Sequence, residues 1–331
     1  MDSINIIAEI GSVHDGSLNN AKKLIELASG SGADTVKFQT HIADAETLKS
    51  APNPSYFKGE SRYEYFERTG FINSEWLEIK EECDRNKISF LSSAFSHEAI
   101  DLLENLNTKL YKIPSGEVTN IPLIKYIAET NKEIYLSSGM SNWSELDTAV
   151  NTILNHHDKV TIMQCSSQYP CNYENVGINI INDMKVRYNL PLGFSDHTTT
   201  NYASFAAATL GVSVIEKHLT FSKKMYGSDA QYATEPEEFK DLVNGIRAIE
   251  TMNKCPVDKD DIEMYKDMKM VFQKSIVSKI KIKKGQIINY EMLAFKKPGI
   301  GIPPNNIDKI IGKVAKINID EDLIIKPENL E

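Results

Sequence analysis

Short apolar runs recur along this chain, and most of them close on a cluster of polar residues. Ile4 to Ile10 reaches Glu9 and a turn containing Gly11, His14, Asp15 and Gly16, with a helical pattern following over Asn19 to Ser29. Ala33 to Thr40 carries Lys37 and Gln39. After a helix predicted from about Ser74 to Asn86, Ile88 to Phe95 ends among Ser92, Ser93 and Ser96. Lys109 to Ile113 runs into Pro114, Ser115 and Glu117, and Glu133 to Leu136 into Ser137, Ser138 and Met140. Val160 to Gln164 runs into Cys165, Ser167, Tyr169 and Pro170. Gly193 to Thr198 and Val214 to Leu219 each contain a histidine near the end, His197 and His218, and they enclose the alanine-rich helical stretch Asn201 to Leu210.

That makes eight strand patterns, each separated from the next by a helix-sized segment. Parallel strands alternating with helices specify an α/β chain folded as a (β/α)8 barrel, whose functional groups gather at the strand C-termini. The polar clusters fall at that end. A helix opening at Pro236, proline in the first helical position, closes the barrel. The stretch His41 to Gly70, with Tyr56, Phe57, Arg62, Tyr63 and Tyr65, is long for a connection inside a compact domain and is expected to be a lid or binding loop.

Past the barrel the pattern changes. Residues 1–254 form the predicted barrel, 255–272 a charged linker with one helix, and 273–331 a small β-rich domain. Within the last, Ile280, Ile282, Ile287, Ile288, Glu291 and Leu293 are echoed by Ile317, Ile319, Ile324, Ile325, Glu328 and Leu330, as in an internal duplication. Its connection, Lys296 to Pro304, is glycine- and proline-rich, either a close approach to a ligand or a tight crossover.

Composition narrows the classes. A net charge of −9 argues against a nucleic-acid partner, although local basic pockets for a small anion stay open. No apolar run approaches the roughly 18 residues of a membrane span, and the first residues show no charged leader. Cys83, Cys165, Cys171 and Cys255 lack paired metal spacing, which points to a reduced, cytoplasmic setting.

The strand ends supply the candidate chemistry. His197 and His218 on adjacent parallel strands bring two imidazoles within a few ångströms, as a divalent metal requires of two ligands. Lys37 and Lys112, with the hydroxyls of Ser93, Ser115, Ser138, Ser167 and Ser195, make an oxyanion cradle suited to a phosphate and a carboxylate. Lys112 as a Schiff-base amine is the competing chemistry. Glu9 and Glu117 put two carboxylates on the same rim for acid–base work, or as salt-bridge partners of the lysines.

In order and spacing these motifs resemble the sialic acid synthase family: Ala8 to Gly11 with His14 to Gly16, Val36 to Thr40, Tyr111 to Glu117, Leu136 to Met140, Cys165 to Pro170, Phe194 to Thr198 and Glu216 to His218. The C-terminal part resembles that family's antifreeze-like (SAF) domain. The resemblance implies condensation of phosphoenolpyruvate with the open-chain aldehyde of an N-acylated hexosamine, giving a nine-carbon 2-keto-3-deoxy acid and phosphate by C–O cleavage. It implies Mn2+, with Mg2+ or Co2+ as alternatives, held by His197 and His218, the latter also catalytic. Lys37, Ser93 and Ser115 would surround the phosphoenolpyruvate carboxylate, and Lys112, Ser138, Ser167 and Ser195 its phosphate. Glu9 would manage the proton or water near C2, and Glu117 would share the acid–base work. Gln39, Glu117, Tyr169 and Asp229 would line the sugar side, and the enzyme would be a domain-swapped homodimer. Where the family's small domain presents an arginine to the sugar's N-acyl group, this chain has Lys297. Lysine cannot reproduce that planar fork, so of the two acceptors the resemblance allows, N-acetylmannosamine or a modified bacterial relative, the expectation shifts to the relative, for instance a diamino or otherwise modified hexose. A pyruvate-dependent Schiff-base lyase and a non-enzymatic small-molecule or surface-binding protein remain the alternatives.

Overall fold

The computed structural model describes residues 3–53, 59–226 and 229–331. Tyr56 and Phe57 of the long excursion therefore lie outside the described residues. The chain divides into two compact units, Met1–Cys255 and Pro256–Glu331.

In the first unit eight parallel strands close into a barrel in chain order, β8 pairing back onto β1. They are β1 Asn5–Gly11, β2 Thr35–Thr40, β3 Ser89–Ala94, β4 Leu110–Ile113, β5 Glu133–Ser137, β6 Val160–Cys165, β7 Leu192–Asp196 and β8 Val214–His218. The (β/α)8 expectation holds. Helices Leu18–Gly30, Asn73–Arg85, His97–Asn105, Ile121–Glu129, Trp143–Leu154, Ile180–Tyr188, Tyr202–Thr209 and Pro236–Lys254 follow the strands. The excursion after β2 adds two short helices, Ala43–Glu46 and Arg62–Thr69.

Local chemistry sets both ends of these units. The side chains of Ser17, Ser96, Asn120 and Asn142 accept from backbone N–H groups in the first turn of the helices they precede, relieving donors that would otherwise be unpaired. At the other end a left-handed residue stops the helix and turns the chain into the next strand: Gly32, Lys87, Asn107, Asn131, Asn189 and Gly211 all have positive φ. In the closing helix, a Cβ on Gly245 would meet the Phe205 ring at 2.4 Å, so that position lets two outer helices approach.

Strand alternation then decides what faces the barrel axis. Ile7, Leu91, Tyr135, Met163 and Val214 form one buried apolar layer. Gly193 makes room in it, since a Cβ there would lie 2.8 Å from Met163 Cγ. Two residues further along those strands come Glu9, Ser93, Ser137, Cys165 and Glu216, with Ser195 two past Gly193. The apolar plug thus carries a polar layer directly above it, at the strand C-termini.

The second unit holds an antiparallel pair, β9 Ser275–Ser278 and β10 Leu293–Lys296. Its internal duplication is visible in the hydrogen bonds: Ile282 and Ile319 exchange N–H to O bonds of 2.8 Å in both directions. The equivalent pairs Ile282/Ile319, Ile288/Ile325 and Leu293/Leu330 all enter one core, while the matching tight turns use Gly285 and Asp322 at positive φ. Gly301 is pressed against its own unit, a Cβ there falling 2.3 Å from Ile324 Cγ2, so the proline-rich connection is a close-packed crossover.

Candidate active site

Above the apolar layer lies a cavity of about 290 Å³ lined by charged and hydroxyl groups together with Tyr65, Phe66, Phe95 and Met140. Its centre is an ion cluster. Glu216 pairs with Lys112 at 2.7 Å and with Lys37 at 3.4 Å, and accepts from the Ser195 hydroxyl at 3.2 Å. Lys37 lies 3.0 Å from Glu9 and donates to Ser93 Oγ at 3.4 Å. All four charged side chains are buried.

Charges this deep must balance one another. Burial opposes ionisation of Glu216, but Lys112 and Lys37 outweigh it and hold its pKa at about 2. Burial likewise works against the Lys37 ammonium, yet Glu216 and Glu9 more than compensate and raise it. At Lys112 burial wins and lowers the amine despite Glu216. Burial raises the Glu9 carboxyl, Lys37 pulls it back and Glu216 pushes it up again, leaving a pKa of about 7. Glu9 Oε2 faces the Lys37 ammonium at 3.0 Å and meets no other donor among the described residues, so it is the oxygen placed to exchange a proton.

Beside this cluster His197 and His218 stand with ring centroids 5.7 Å apart. The Nδ1 atom of His197 meets the Ser166 carbonyl at 2.6 Å, which places its hydrogen there and leaves Nε2 a lone pair, capped by the Tyr169 hydroxyl at 2.8 Å. His218 Nδ1 is buried with no hydrogen-bond partner among the described residues, and burial lowers its pKa to about 4, keeping the ring neutral. Burial works against the His197 imidazolium, yet Cys165 more than compensates and raises its pKa; His197 Nε2, once Tyr169 gives way, and the unpartnered His218 Nδ1 are the nitrogens that could hold a divalent metal. Among the described residues no group of three His, Cys, Asp or Glu side chains could hold one, so these two imidazoles would be the protein's whole contribution to it.

The turn after β1 closes the wall. Gly11 has φ +54°, and a Cβ there would come within 2.6 Å of Asp229 Oδ2 and 3.4 Å of Gln39 Nε2. Asp229 accordingly reaches the cavity, as do Gln39 and Tyr169.

Lys37, Ser93, Lys112, Ser115, Ser167, Ser195, Glu9, His197 and His218 thus converge on one mouth. Ser138 and Glu117 lie off the lysine cluster. Ser138 has the wrong strand parity: its hydroxyl donates to Gln164 Oε1 at 3.1 Å and it lines an adjoining cavity, while Ser137 lines the central one. Glu117 is carried away from the lysines by the short 3-10 turn Ser115–Glu117 and accepts from Asn120 instead. Glu46, Arg62 and His41 are its ionisable neighbours, which leaves it no place in the inner cluster. Lys297 belongs to the second unit, where its ammonium lies 5.1 Å over the Phe272 ring. Sequence reasoning missed Glu216 as a site residue. The signal was available: it lies two positions before His218 on one strand, so both must face inward.

A parallel eight-stranded barrel with buried lysines, carboxylates and an imidazole pair at its C-terminal mouth defines an enzyme-like (β/α)8 protein carrying a small accessory domain. The chain belongs to the NeuB family, which matches residues 24–258, and carries a SAF domain at residues 273–331. It is 38% identical over 329 residues to the N,N'-diacetyllegionaminic acid synthase of Campylobacter jejuni, covering 97% of this chain and 98% of that one. Human N-acetylneuraminate-9-phosphate synthase is 31% identical over 98% of this chain and 91% of its own. Among solved structures, the N-acetylneuraminic acid synthetase of Leptospira borgpetersenii superimposes with a TM-score of 0.71 at 26% identity, covering 81% of this chain and 91% of that one. The family is one of sialic acid and related nonulosonic acid synthases. No helix among the described residues is long and apolar enough to cross a membrane.

Proposed function

We propose that this chain condenses phosphoenolpyruvate with the open-chain aldehyde of an N-acylated hexosamine, forming a nine-carbon 2-keto-3-deoxy acid and inorganic phosphate. The observation that carries the reading is the convergence of two buried lysines on one carboxylate, Glu216, at the barrel mouth. Such a pair is already arranged around a negative group, and an anionic substrate would draw on the same two ammonium ions.

In this reading Lys37, Lys112 and the hydroxyls of Ser93, Ser115, Ser137, Ser167 and Ser195 bind the phosphate and carboxylate of phosphoenolpyruvate. C3 of the enol phosphate forms the new bond to the aldehyde carbon, whose oxygen takes a proton. Water adds at C2, Glu9 accepting one proton, and the C2–O bond to phosphate breaks, the remaining C2 hydroxyl proton leaving with the phosphate as the ketone forms. A divalent ion held by His197 and His218, Mn2+ first and Mg2+ or Co2+ as alternatives, would polarise the aldehyde oxygen. Gln39, Tyr169 and Asp229 face the sugar.

The C. jejuni relative, named for a product bearing two acetyl groups, and lysine at position 297 favour a di-N-acylated bacterial hexose as acceptor. The four cysteines are unpaired, in keeping with a reducing cytoplasm. A domain-swapped homodimer would cover Ile262, Met264, Met268 and Val271, which are exposed on the segment after Cys255; light scattering on the purified chain would show twice the monomer mass.

The test is phosphate release from phosphoenolpyruvate with Mn2+ and a panel of N-acylated hexoses, with the acid product identified by mass. Phosphate without a coupled acid, or a lysine adduct trapped by borohydride with pyruvate, would overturn the reading.

A further inference from the structure

One polar chain at the site runs away from the lysines and reaches a histidine that has no part in the reaction described above. Gln39 Nε2 donates to Glu9 Oε1 at 2.7 Å. The other end of the same amide, Oε1, lies 3.1 Å from His41 Nε2, and His41 Nδ1 lies 2.8 Å from Glu46 Oε1. The imidazole cannot tilt out of this line, because Phe66 stacks on one face at 3.8 Å and Phe95 on another at 4.2 Å, both nearly parallel to it. Both His41 and Glu46 are buried at their side chains, 5% and 7% exposed.

An amide can face either way, and its partners decide which. With its carbonyl toward an ionised Glu9, Gln39 would set two acceptor oxygens 2.7 Å apart, which is repulsive. With its NH2 toward Glu9, its carbonyl must find a donor on the far side, and His41 Nε2 is the atom there. Glu46, at Nδ1, favours a hydrogen on that nitrogen too. Each link therefore fixes the next, from Glu46 through His41 and Gln39 to one oxygen of Glu9. The other oxygen, Oε2, faces only the Lys37 ammonium, at 3.0 Å, and the cavity above it.

We infer that His41 is a positioning residue for Glu9: through Gln39 it anchors one carboxylate oxygen and so presents the other for proton transfer. The inference rests on the synthase reading of the site. His41 never touches the reacting atoms, and its removal acts on turnover rather than on phosphoenolpyruvate binding, which the lysines and serines supply.

Two measurements test it. In protein labelled with 15N-histidine, the His41 Nε2 signal, assigned by its loss in His41→Phe, carries a bound hydrogen; an Nε2 without one overturns the inference whatever the enzyme's activity. In steady-state assays His41→Phe keeps the ring stack but lacks the nitrogen. It lowers kcat on the order of 10- to 100-fold with the KM for phosphoenolpyruvate little changed. Gln39→Leu does the same, and the double variant is no worse than the poorer single one. Multiplying losses, or unchanged turnover in His41→Phe, overturns it. Should His41→Phe fail to fold, Glu46→Gln is read in the same cycle against Gln39→Leu. Wild-type protein that releases no phosphate with any acceptor removes the reaction itself, and this role with it, while the nitrogen signal still reports the hydrogen bond.

Discussion

Strands β7 and β8 carry two buried ion pairs, one on each side of the barrel wall, and the two behave differently. Outside, Asp196 pairs with Lys217 at 2.9 Å. Lys217 also donates to the Thr198 carbonyl, while Asp196 accepts from Thr198 N and from the Ser204 hydroxyl. That pair is closed, tying the strand ends to the helix Tyr202–Thr209. Inside, Glu216 alone faces both Lys37 and Lys112, with Glu9 near neutrality at a pKa of about 7 and a cavity above. A buried ion pair is therefore no sign of a site by itself. What marks one is surplus: cations with more capacity than their protein partners use, opening onto space for a ligand.

Breaking the outer pair should have the largest effect, and on stability. Asp196→Ala leaves the Lys217 ammonium buried without its counter-ion and strips two further donors of their acceptor, at a cost of about 3–5 kcal/mol. Urea unfolding would show it as a lower midpoint, and an unchanged midpoint would contradict the closed pair. Inside the wall the balance is reversed. Lys112→Met removes one of two cations facing Glu216, so turnover should fall by about 10²- to 10³-fold, roughly 2.7–4 kcal/mol in the barrier. The urea midpoint should move less than in Asp196→Ala, because Lys37 still neutralises Glu216. Equal losses of stability in the two variants would erase the distinction.

A third buried polar group sharpens it further, since His14 has neither solution. It lies in the turn after β1, its ring tilted against Phe71 with centroids 4.6 Å apart and its Nδ1 accepting from Gly16 N at 3.1 Å. Burial first, and His41 second, lower its pKa to about 4. In the unfolded chain the ring titrates near 6.5. Its contribution is thus fully present above about 6.5, and below that the unfolded state takes up the proton first. Stability should drain by about 2 kcal/mol between pH 6.5 and 5 on this account. His14→Gln should flatten that part of the urea-midpoint profile; a slope identical to wild type would assign it to other groups.

How much of this could be read beforehand depended on whether a pattern carried its own reference point. Barrel and small domain were legible, because eight strand patterns and an echoed isoleucine series each repeat often enough to fix their phase. The histidine pair was legible because both rings sit at equivalent ends of adjacent strands. Glu216 was overlooked although His218 supplied the phase for it: counted back in twos, Val214, Glu216 and His218 face the axis and Lys217 faces out. The separation of Glu117 from the lysines was hidden for another reason. It lies past the strand, where a 3-10 turn replaces alternation and no period extrapolates. The chain linking Glu46 to Glu9 was invisible, since it joins residues whose side chains meet only after the excursion beyond β2 folds back.

The finest break in the comparison is between two neighbouring serines at the end of β5. Sequence alone offers no way to choose between Ser137 and Ser138, because a shift of one residue in the strand exchanges their faces. Tyr135 belongs to the apolar layer inside the barrel, so Ser137 faces the axis and lines the cavity with the lysines. Ser138 turns the other way, giving its hydroxyl to Gln164, whose own amide donates to the Val176 carbonyl and so ties two strand ends to the loop after β6. The two alanine variants should then separate cleanly. Ser137→Ala should raise the KM for phosphoenolpyruvate about fivefold, the loss of one hydrogen bond worth about 1 kcal/mol, with the urea midpoint unmoved. Ser138→Ala should lower stability by a similar ~1 kcal/mol and leave that KM alone, because the Gln164 carbonyl loses its donor while the anion cradle keeps all of its own. If Ser138→Ala weakens substrate binding and Ser137→Ala does not, the inward layer has been read one residue out of phase, and the placement of every hydroxyl counted from β5 falls with it.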